Sequence, residues 1–335
     1  MKNIQNKSKF VCISKLYPVI LLGVFLLGFC FWYVWKKTID EDCKGSYSWL
    51  NPSLNCGDET VINKAGYVAF KTKLIDEIET LKNSGQTEQV SIYFRDLENG
   101  PSFGIDDREK FIPASLLKVP VMLTYLKIAE NEPGLLAMKL IYKDAGEADD
   151  RPQTIDPNKT IEPNKPYSID ELIFRMVAYS DNMSYGLLYE YLKEQSSEVD
   201  LVTETYNELG MINPGDDLES VNLTVKTYAT IFRMLYNASY LSNELSEIAL
   251  GYLASSDFAN GLRKGVPQDI PIAHKFGERK LDTGKTQLHD CGIVYYPQNP
   301  YLLCVFTSGV NFQNLSGIIG KLSQLVWDEV ESRRI

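Results

Sequence analysis

Three short signals in this 335-residue chain carry residue types able to do nucleophilic chemistry: Ser115-Leu-Leu-Lys118, Ser180-Asp181-Asn182 and Lys275-Phe276-Gly277. A serine hydroxyl attacks poorly unless a neighbouring base takes its proton. Lys118 follows Ser115 by three residues, so one helical turn sets its amine beside the hydroxyl. A desolvated lysine with cationic neighbours loses its proton more readily and can serve as that base. At a helix start, the Ser115 backbone N–H lies at the positive end and can face a developing oxyanion. Ser180 can pass a proton to a leaving group, and Asn182 can hold Lys118 or a substrate amide. Lys275 adds positive charge on the opposite wall, and the N–H of Glu278, after Gly277, can complete the oxyanion hole.

Singly the signals are weak. Ser-x-x-Lys or Lys-x-Gly occurs roughly once by chance in a chain of this length, and Ser-Asp-Asn in roughly one chain in twenty. Ser115 reads equally as a helix cap, Asp181 and Asn182 as turn residues, and Lys275 as a solvated strand residue. Their order and context give them weight. Ser115 opens a helical pattern that runs to about Glu130, Ser180 to Asn182 fall between two helices, and Lys275 lies on a strand.

The elements that must position them follow from periodicity. Phe70, Leu74, Ile78 and Leu81 share one helix face, residues 89–95 read as a strand, and Glu98-Asn99-Gly100 turns into a second strand near Phe103. Ser168-Ile-Asp-Glu171 is a capping box before Leu172, Ile173, Met176 and Val177. Further helices are expected at 183–195, 224–237 and 243–255, so the middle, about 120–262, reads as helical. Strands return at 271–278, 286–296 and 301–308. The last two join at Pro297-Gln-Asn-Pro300, and a helix at 315–333 presents Ile318, Leu322, Leu325, Val326 and Val330. Strands at both ends of a helical middle imply an α/β (α+β) fold, one antiparallel sheet with helices inserted between its halves. A hairpin symmetric about its turn places Cys291 and Cys304 on one face but diagonal, which favours two buried thiols over a disulfide.

Composition sets the surroundings. The first 37 residues hold six lysines and no acid, so 28 bases against 44 acids leave the rest at a formal charge of −16. A body that acidic repels phosphate backbones, which argues against a nucleic-acid partner. Leu16 to Trp35 are 20 uncharged positions, roughly 30 Å as a helix and long enough to span a bilayer. Aromatic residues cluster at its far end, and no small-x-small cleavage site follows. A retained single-pass anchor is therefore expected over a cleaved signal peptide. The lysine excess orients residues 1–15 to the cytoplasm and the body, beyond a polar stalk at 36–66, outside the cell membrane. Cys43 and Cys56 flank a short loop where an oxidising compartment permits a bond. With only His274 and His289 as histidines and no Cys/His ligand spacing, neither a metal nor another cofactor is expected, and a zinc hydrolase is disfavoured.

From about residue 67 to 335 the chain resembles the class A β-lactamase family of penicillin-recognising serine enzymes. Phe111-Ile-Pro-Ala-Ser-Leu-Leu-Lys-Val-Pro-Val121 is similar to the stretch around that family's nucleophile, and Ser180-Asp-Asn182 matches its second motif. Ala273-His-Lys-Phe-Gly277, His289-Asp-Cys-Gly-Ile-Val-Tyr295 and Val305-Phe-Thr-Ser-Gly309 resemble its third motif and following strands, and Thr224 to Leu235 the helix after its omega loop. The resemblance implies a β-lactamase/transpeptidase-like fold whose site lies between a helical and an α/β part. It also implies a serine, Ser115, acylated by a β-lactam or the acyl-D-Ala-D-Ala end of a peptidoglycan stem peptide. Two departures stand out. Phe276 lacks the hydroxyl with which that family contacts the substrate carboxylate, leaving Arg279 or Lys280 to supply it. The segment Leu209 to Asn222 lacks the Glu-x-x-x-Asn that activates the deacylating water; Glu219 is the substitute, at a different spacing. The expectation is a serine hydrolase whose acyl-enzyme breaks down slowly, nearer to a D,D-peptidase or penicillin-binding protein than to an efficient β-lactamase. The other reading is a tethered binding or sensing domain for the same ligands.

Overall fold

The computed structural model describes residues 25–32, 47–52, 54, 66–98, 100–143, 155, 157, 159–195, 200–212 and 221–333. Two compact units result, Met1–Tyr47 with Asn51–Asp58, and Ser48–Leu50 with Glu59–Ile335. In the first, residues 25–32 form a short helix on which Phe25, Leu27 and Phe31 stand exposed. Among the described residues no helix is long and apolar enough to cross a membrane, and most of the run from Leu16 to Trp35 lies outside them. Cys43, Cys56 and Glu219 also lie outside the described residues.

The second unit is built on a five-stranded antiparallel sheet in the order β2-β1-β9-β8-β7. Here β1 is Gln89–Asp96, β2 Ser102–Ile105, β7 Ile272–Lys280, β8 Thr286–Val294 and β9 Tyr301–Gly309. Every residue of β8 and β9 is buried, because both faces of the sheet are covered. One face packs on helices α1 (Val68–Asn83) and α8 (Phe312–Ser332) through a core that includes Leu74, Ile92, Val305, Ile319 and Leu322. These are the apolar stripes that the sequence spacing predicts, with Phe70, Leu74, Ile78 and Leu81 all buried.

The other face carries the helical part: α2 (Lys118–Ala129), α3 (Ile169–Ala178), α4 (Asn182–Gln195), α5 (Leu201–Glu208), α6 (Val225–Tyr236) and α7 (Asn243–Ala254). Short two-stranded pairs, β3 (Lys110–Phe111) with β6 (Leu223–Thr224) and β4 (Lys139–Ile141) with β5 (Pro166–Ser168), tie its segments together. Side-chain caps start its helices where the sequence offers them. Ser168, Thr224 and Ser242 accept from the N–H groups of Glu171, Thr227 and Leu245. Glu171 does not close the capping box; its carboxylate holds Arg175 instead, at 2.8 Å. Ahead of the domain, the N–H groups of Ser48, Trp49 and Leu50 converge on the Glu247 carboxylate of α7 at 2.6, 2.9 and 3.2 Å. Trp49 packs edge-on against Tyr295.

The β8–β9 hairpin corrects one expectation. Its turn is not centred between Pro297 and Pro300. Asn299 N–H donates to the Tyr296 carbonyl at 3.1 Å, with Pro297 leading and Gln298 at φ 66°, a type II arrangement. The centre therefore moves by one residue and the register by two, which preserves faces but changes partners. Cys291 lies directly opposite Cys304, Cα to Cα 3.9 Å, and the two form a disulfide rather than a pair of free thiols.

Candidate active site

Ser115 lies in a single 3-10 turn, Ala114–Leu117, that leads into α2. Pro113 starts the turn, and its carbonyl accepts from the Leu116 N–H at 3.0 Å. Ala114 adopts φ 50°, a left-handed conformation that a non-glycine residue takes only under constraint. The constraint is visible: the buried Tyr228 hydroxyl of α6 donates to the Leu116 carbonyl at 3.0 Å. On the other side β7 presses against the turn. A Cβ placed on Gly277 would meet the Pro113 carbonyl oxygen at 2.6 Å and the Leu116 nitrogen at 3.1 Å, so only glycine permits the approach.

Helix α2 is apolar nearly all round and runs through the middle of the helical part, and this burial carries Lys118 inside. Lys118 is 2% exposed. Its Nζ donates to the Ser180 carbonyl at 2.5 Å, to Asn182 Oδ1 at 2.6 Å and to Ser180 Oγ at 3.1 Å. Those acceptors are aimed by Asp181, which is fully buried and structural. Its carboxylate accepts from the N–H groups of Met183 and Ser184 at the start of α4, from Ser184 Oγ at 2.5 Å and from Thr160 Oγ1 at 2.7 Å. Ser180 itself is held at φ 54°. A second left-handed non-glycine residue thus sits at the site, as expected where surrounding structure over-determines the backbone.

The third wall is β7, the edge strand of the sheet. Lys275 is fully buried, and its Nζ donates to Ser180 Oγ and to the Phe276 carbonyl, both at 2.9 Å. Burial lowers its pKa from the ordinary lysine value to about 7, with Asp290 and Asp257 opposing the shift. Its ammonium lies 4.3 Å from the centroid of the Phe276 ring, which stacks on Phe258 at 3.9 Å. The ring thus gives the cation a π face where a hydroxyl would offer a lone pair. Because main-chain groups alternate in direction along a strand, the outward carbonyl of Phe276 implies that Glu278 also directs its N–H to the outer edge, where an oxyanion donor is needed.

Hydrogen bonds therefore join Lys118, Ser180, Asn182 and Lys275 into one buried network. Ser115 lies one turn before Lys118, and Gly277 and Glu278 lie against the serine turn or beside it. Glu219 cannot be placed, being outside the described residues. The sequence reading missed Tyr228, whose only signal is a tyrosine in the middle of an otherwise apolar helix face. It also missed Asp290, a fully buried carboxylate on the core side of β8. Asp290 takes the Leu262 N–H at 2.9 Å and pairs with His274 Nδ1 at 2.9 Å, so it fastens the chain's return from the helical part to the strand bearing Lys275.

The contact of Gly277 with the serine turn yields a direct test. Gly277→Ala is expected to cost about 1–3 kcal/mol in chemical denaturation through overpacking. Gly134→Ala, at a site with open space around it, should stay within about 0.5 kcal/mol of wild type. Equal stability of the two variants would contradict the contact.

Comparison with known proteins bears on this arrangement. The Beta-lactamase enzyme family description matches residues 73–330. No curated protein gives a significant match. Among solved structures, PBP-A in its acyl-enzyme complex with penicillin G superposes with a TM-score of 0.64 at 20% identity, covering 78% of this chain and 97% of that one. The TLA-1 extended-spectrum β-lactamase gives 0.65 at 18% identity, covering 77% and 98%. A class A β-lactamase from Mycobacterium abscessus gives 0.64 at 20%, covering 76% and 98%. At such identities the superpositions speak for the fold, the mixed antiparallel sheet and helices of the β-lactamase/transpeptidase type. The family match spans most of the chain, and with it the conclusion is plain: this protein belongs to the class A β-lactamase-like enzyme family.

Proposed function

We propose that the chain is a serine acyl-transfer enzyme, acylated at Ser115 by β-lactams or by acyl-D-Ala-D-Ala peptides, with slow release of the acyl group. The observation that carries this reading is the Ser180 hydroxyl shared by two buried amines, 3.1 Å from Lys118 Nζ and 2.9 Å from Lys275 Nζ, one helical turn from Ser115. A neutral Lys118 amine needs only two acceptors for its N–H bonds. The Ser180 carbonyl and Asn182 Oδ1 supply them, leaving the lone pair to take the Ser115 proton. The Ser115 Oγ–carbonyl bond forms while the oxyanion rests between the N–H groups of Ser115 and Glu278. Ser180 then delivers a proton to the departing nitrogen as the C–N bond breaks, and is reprotonated through Lys118. Lys275 stabilises negative charge on the substrate side.

Release of the acyl group needs a base for water. The segment from Leu209 to Asn222 offers Glu219 at an unusual spacing, so we assign the chain to D,D-peptidase or penicillin-binding behaviour rather than rapid β-lactam hydrolysis. The fold relative PBP-A, whose acyl-enzyme with penicillin G is known, supports the same side. We further propose that residues 16–35 anchor the chain in the cell membrane with the catalytic part outside. Peptidoglycan stem peptides would meet it there.

Carboxylate recognition also departs from the usual hydroxyl. The pleat sets Arg279 on the face shared by Lys275 and Gly277, and Lys280 on the opposite one. We therefore assign the substrate carboxylate to Arg279 among the two.

Three measurements test the reading. Intact mass after exposure of residues 38–335 to a penicillin should show a long-lived single adduct, absent in Ser115→Ala. Rapid turnover would favour a β-lactamase, and no adduct with any β-lactam together with no D,D-peptidase activity would leave only the binding-domain reading. Arg279→Ala should weaken capture of a carboxylate-bearing β-lactam by about tenfold, the cost of one charge-assisted hydrogen bond, whereas Lys280→Ala should change nothing. Because Lys275 loses its charge as pH rises through about 7, the second-order rate of acylation by an anionic penicillin should fall across that range. In Lys275→Met it should be low and flat, and a wild-type rate independent of pH from 6 to 9 would contradict the assignment.

A further inference from the structure

Ile112 lies three residues before Ser115, and both of its main-chain polar groups are held by side chains of β8. Its N–H donates to Gln287 Oε1 at 3.1 Å, and its carbonyl lies 3.1 Å from His289 Nε2. A ring nitrogen facing a carbonyl oxygen must carry the proton, so Nε2 donates and Nδ1 is bare. That Nδ1 is fully buried and has no hydrogen-bond partner. Burial also lowers the His289 pKa from its ordinary value to about 3, so the ring is neutral at any working pH. Around it lie only aromatic rings, Phe111 at 5.3 Å and Phe306 at 4.4 Å between centroids.

A phenylalanine would fill the same aromatic niche without leaving a buried nitrogen unsatisfied. What histidine adds there is a single donor, spent on Ile112. Gln287, two residues back on the same strand face, adds the matching acceptor. Together they imitate one rung of a strand ladder with side chains. From there the chain passes Pro113 and Ala114 into the serine turn, which rests on Gly277 of β7. The turn thus has two supports, main-chain contact with β7 and side-chain hydrogen bonds to β8.

Building on the acyl-transfer reading of Ser115, we propose that Gln287 and His289 are positioning residues. They fix Ile112, and through it the height of the Ser115 hydroxyl relative to an acyl group held against β7. Their loss slows the chemical step without weakening substrate capture. Displacement by a fraction of an ångström at a nucleophile lowers a rate on the order of 10- to 100-fold.

The test uses the soluble chain 38–335, a reporter penicillin and stopped-flow acylation over a range of concentrations. His289→Phe and Gln287→Leu should each lower the limiting acylation rate constant about 10-fold or more while leaving the half-saturating concentration within about twofold of wild type. His289→Gln, which returns an amide donor at the place of Nε2, should recover most of the rate. Hydrogen exchange at the Ile112 amide should speed up in Gln287→Leu, which removes its acceptor. Variants acylated at the wild-type rate despite faster Ile112 exchange would overturn the positioning role. So would a loss confined to the half-saturating concentration, or a His289→Gln variant no faster than His289→Phe. A wild-type chain that forms no adduct would instead overturn the acyl-transfer reading, and this inference with it.

Discussion

The architecture around the site is set by the burial of two lysine amines against one serine hydroxyl. An ammonium taken out of water is costly unless every donor finds an acceptor. Lys118 meets that demand with the Ser180 carbonyl and Asn182 Oδ1, and Lys275 with the Phe276 carbonyl, its ring face and Ser180 Oγ. Neither set exists in a relaxed backbone. Ser180 must take a left-handed φ to turn its carbonyl and hydroxyl together toward Lys118. Asp181 must be buried to hold that turn against the first residues of α4. On the opposite side the sheet must come close enough for Lys275 to reach, which leaves no space for a side chain at residue 277. The strain at Ala114 and Ser180 and the close approach of Gly277 are consequences of one requirement, that three chain segments meet at a dry polar centre.

Much of this frame was legible beforehand, and the reasons are local. Phe70, Leu74, Ile78 and Leu81 lie on one helix face because their spacing matches the helical repeat, and Ser168 caps because its hydroxyl reaches the Glu171 N–H. The three chemical signals were legible as residue types whose order suited one reaction. The hairpin register was not, because Pro297-Gln-Asn-Pro300 looks symmetric. Only the left-handed Gln298 places the turn one residue earlier and sets Cys291 against Cys304. Nor does a sequence reveal that Glu247 of α7 gathers three successive N–H groups from residues almost 200 positions earlier. Such contacts follow from the fold and leave no local pattern. Tyr228, Gln287 and Asp290 belong to the same class: ordinary polar residues whose importance comes from what the sheet brings beside them.

Membership of the class A β-lactamase-like family gives the arrangement its chemical setting, and the departures give it its individuality. An aromatic ring stands where the family keeps a hydroxyl beside the third-motif lysine. It turns a polar contact to substrate into a π contact to the cation and shifts carboxylate recognition along β7. The serine turn is held from β8 by a histidine and a glutamine rather than by a longer main-chain ladder. With acylation machinery fully hydrogen-bonded and the water-activating glutamate displaced, the proposed chemistry is asymmetric, quick to form a covalent adduct and slow to release it.

The most direct test is a crystal structure of residues 38–335 after soaking with a penicillin. Continuous density is expected from Ser115 Oγ into the opened ring, with the acyl oxygen within hydrogen-bonding distance of the Ser115 and Glu278 N–H groups and Lys118 beside the ester. A ligand bound without a covalent bond to Ser115, or an acyl oxygen facing away from both N–H groups, would contradict it.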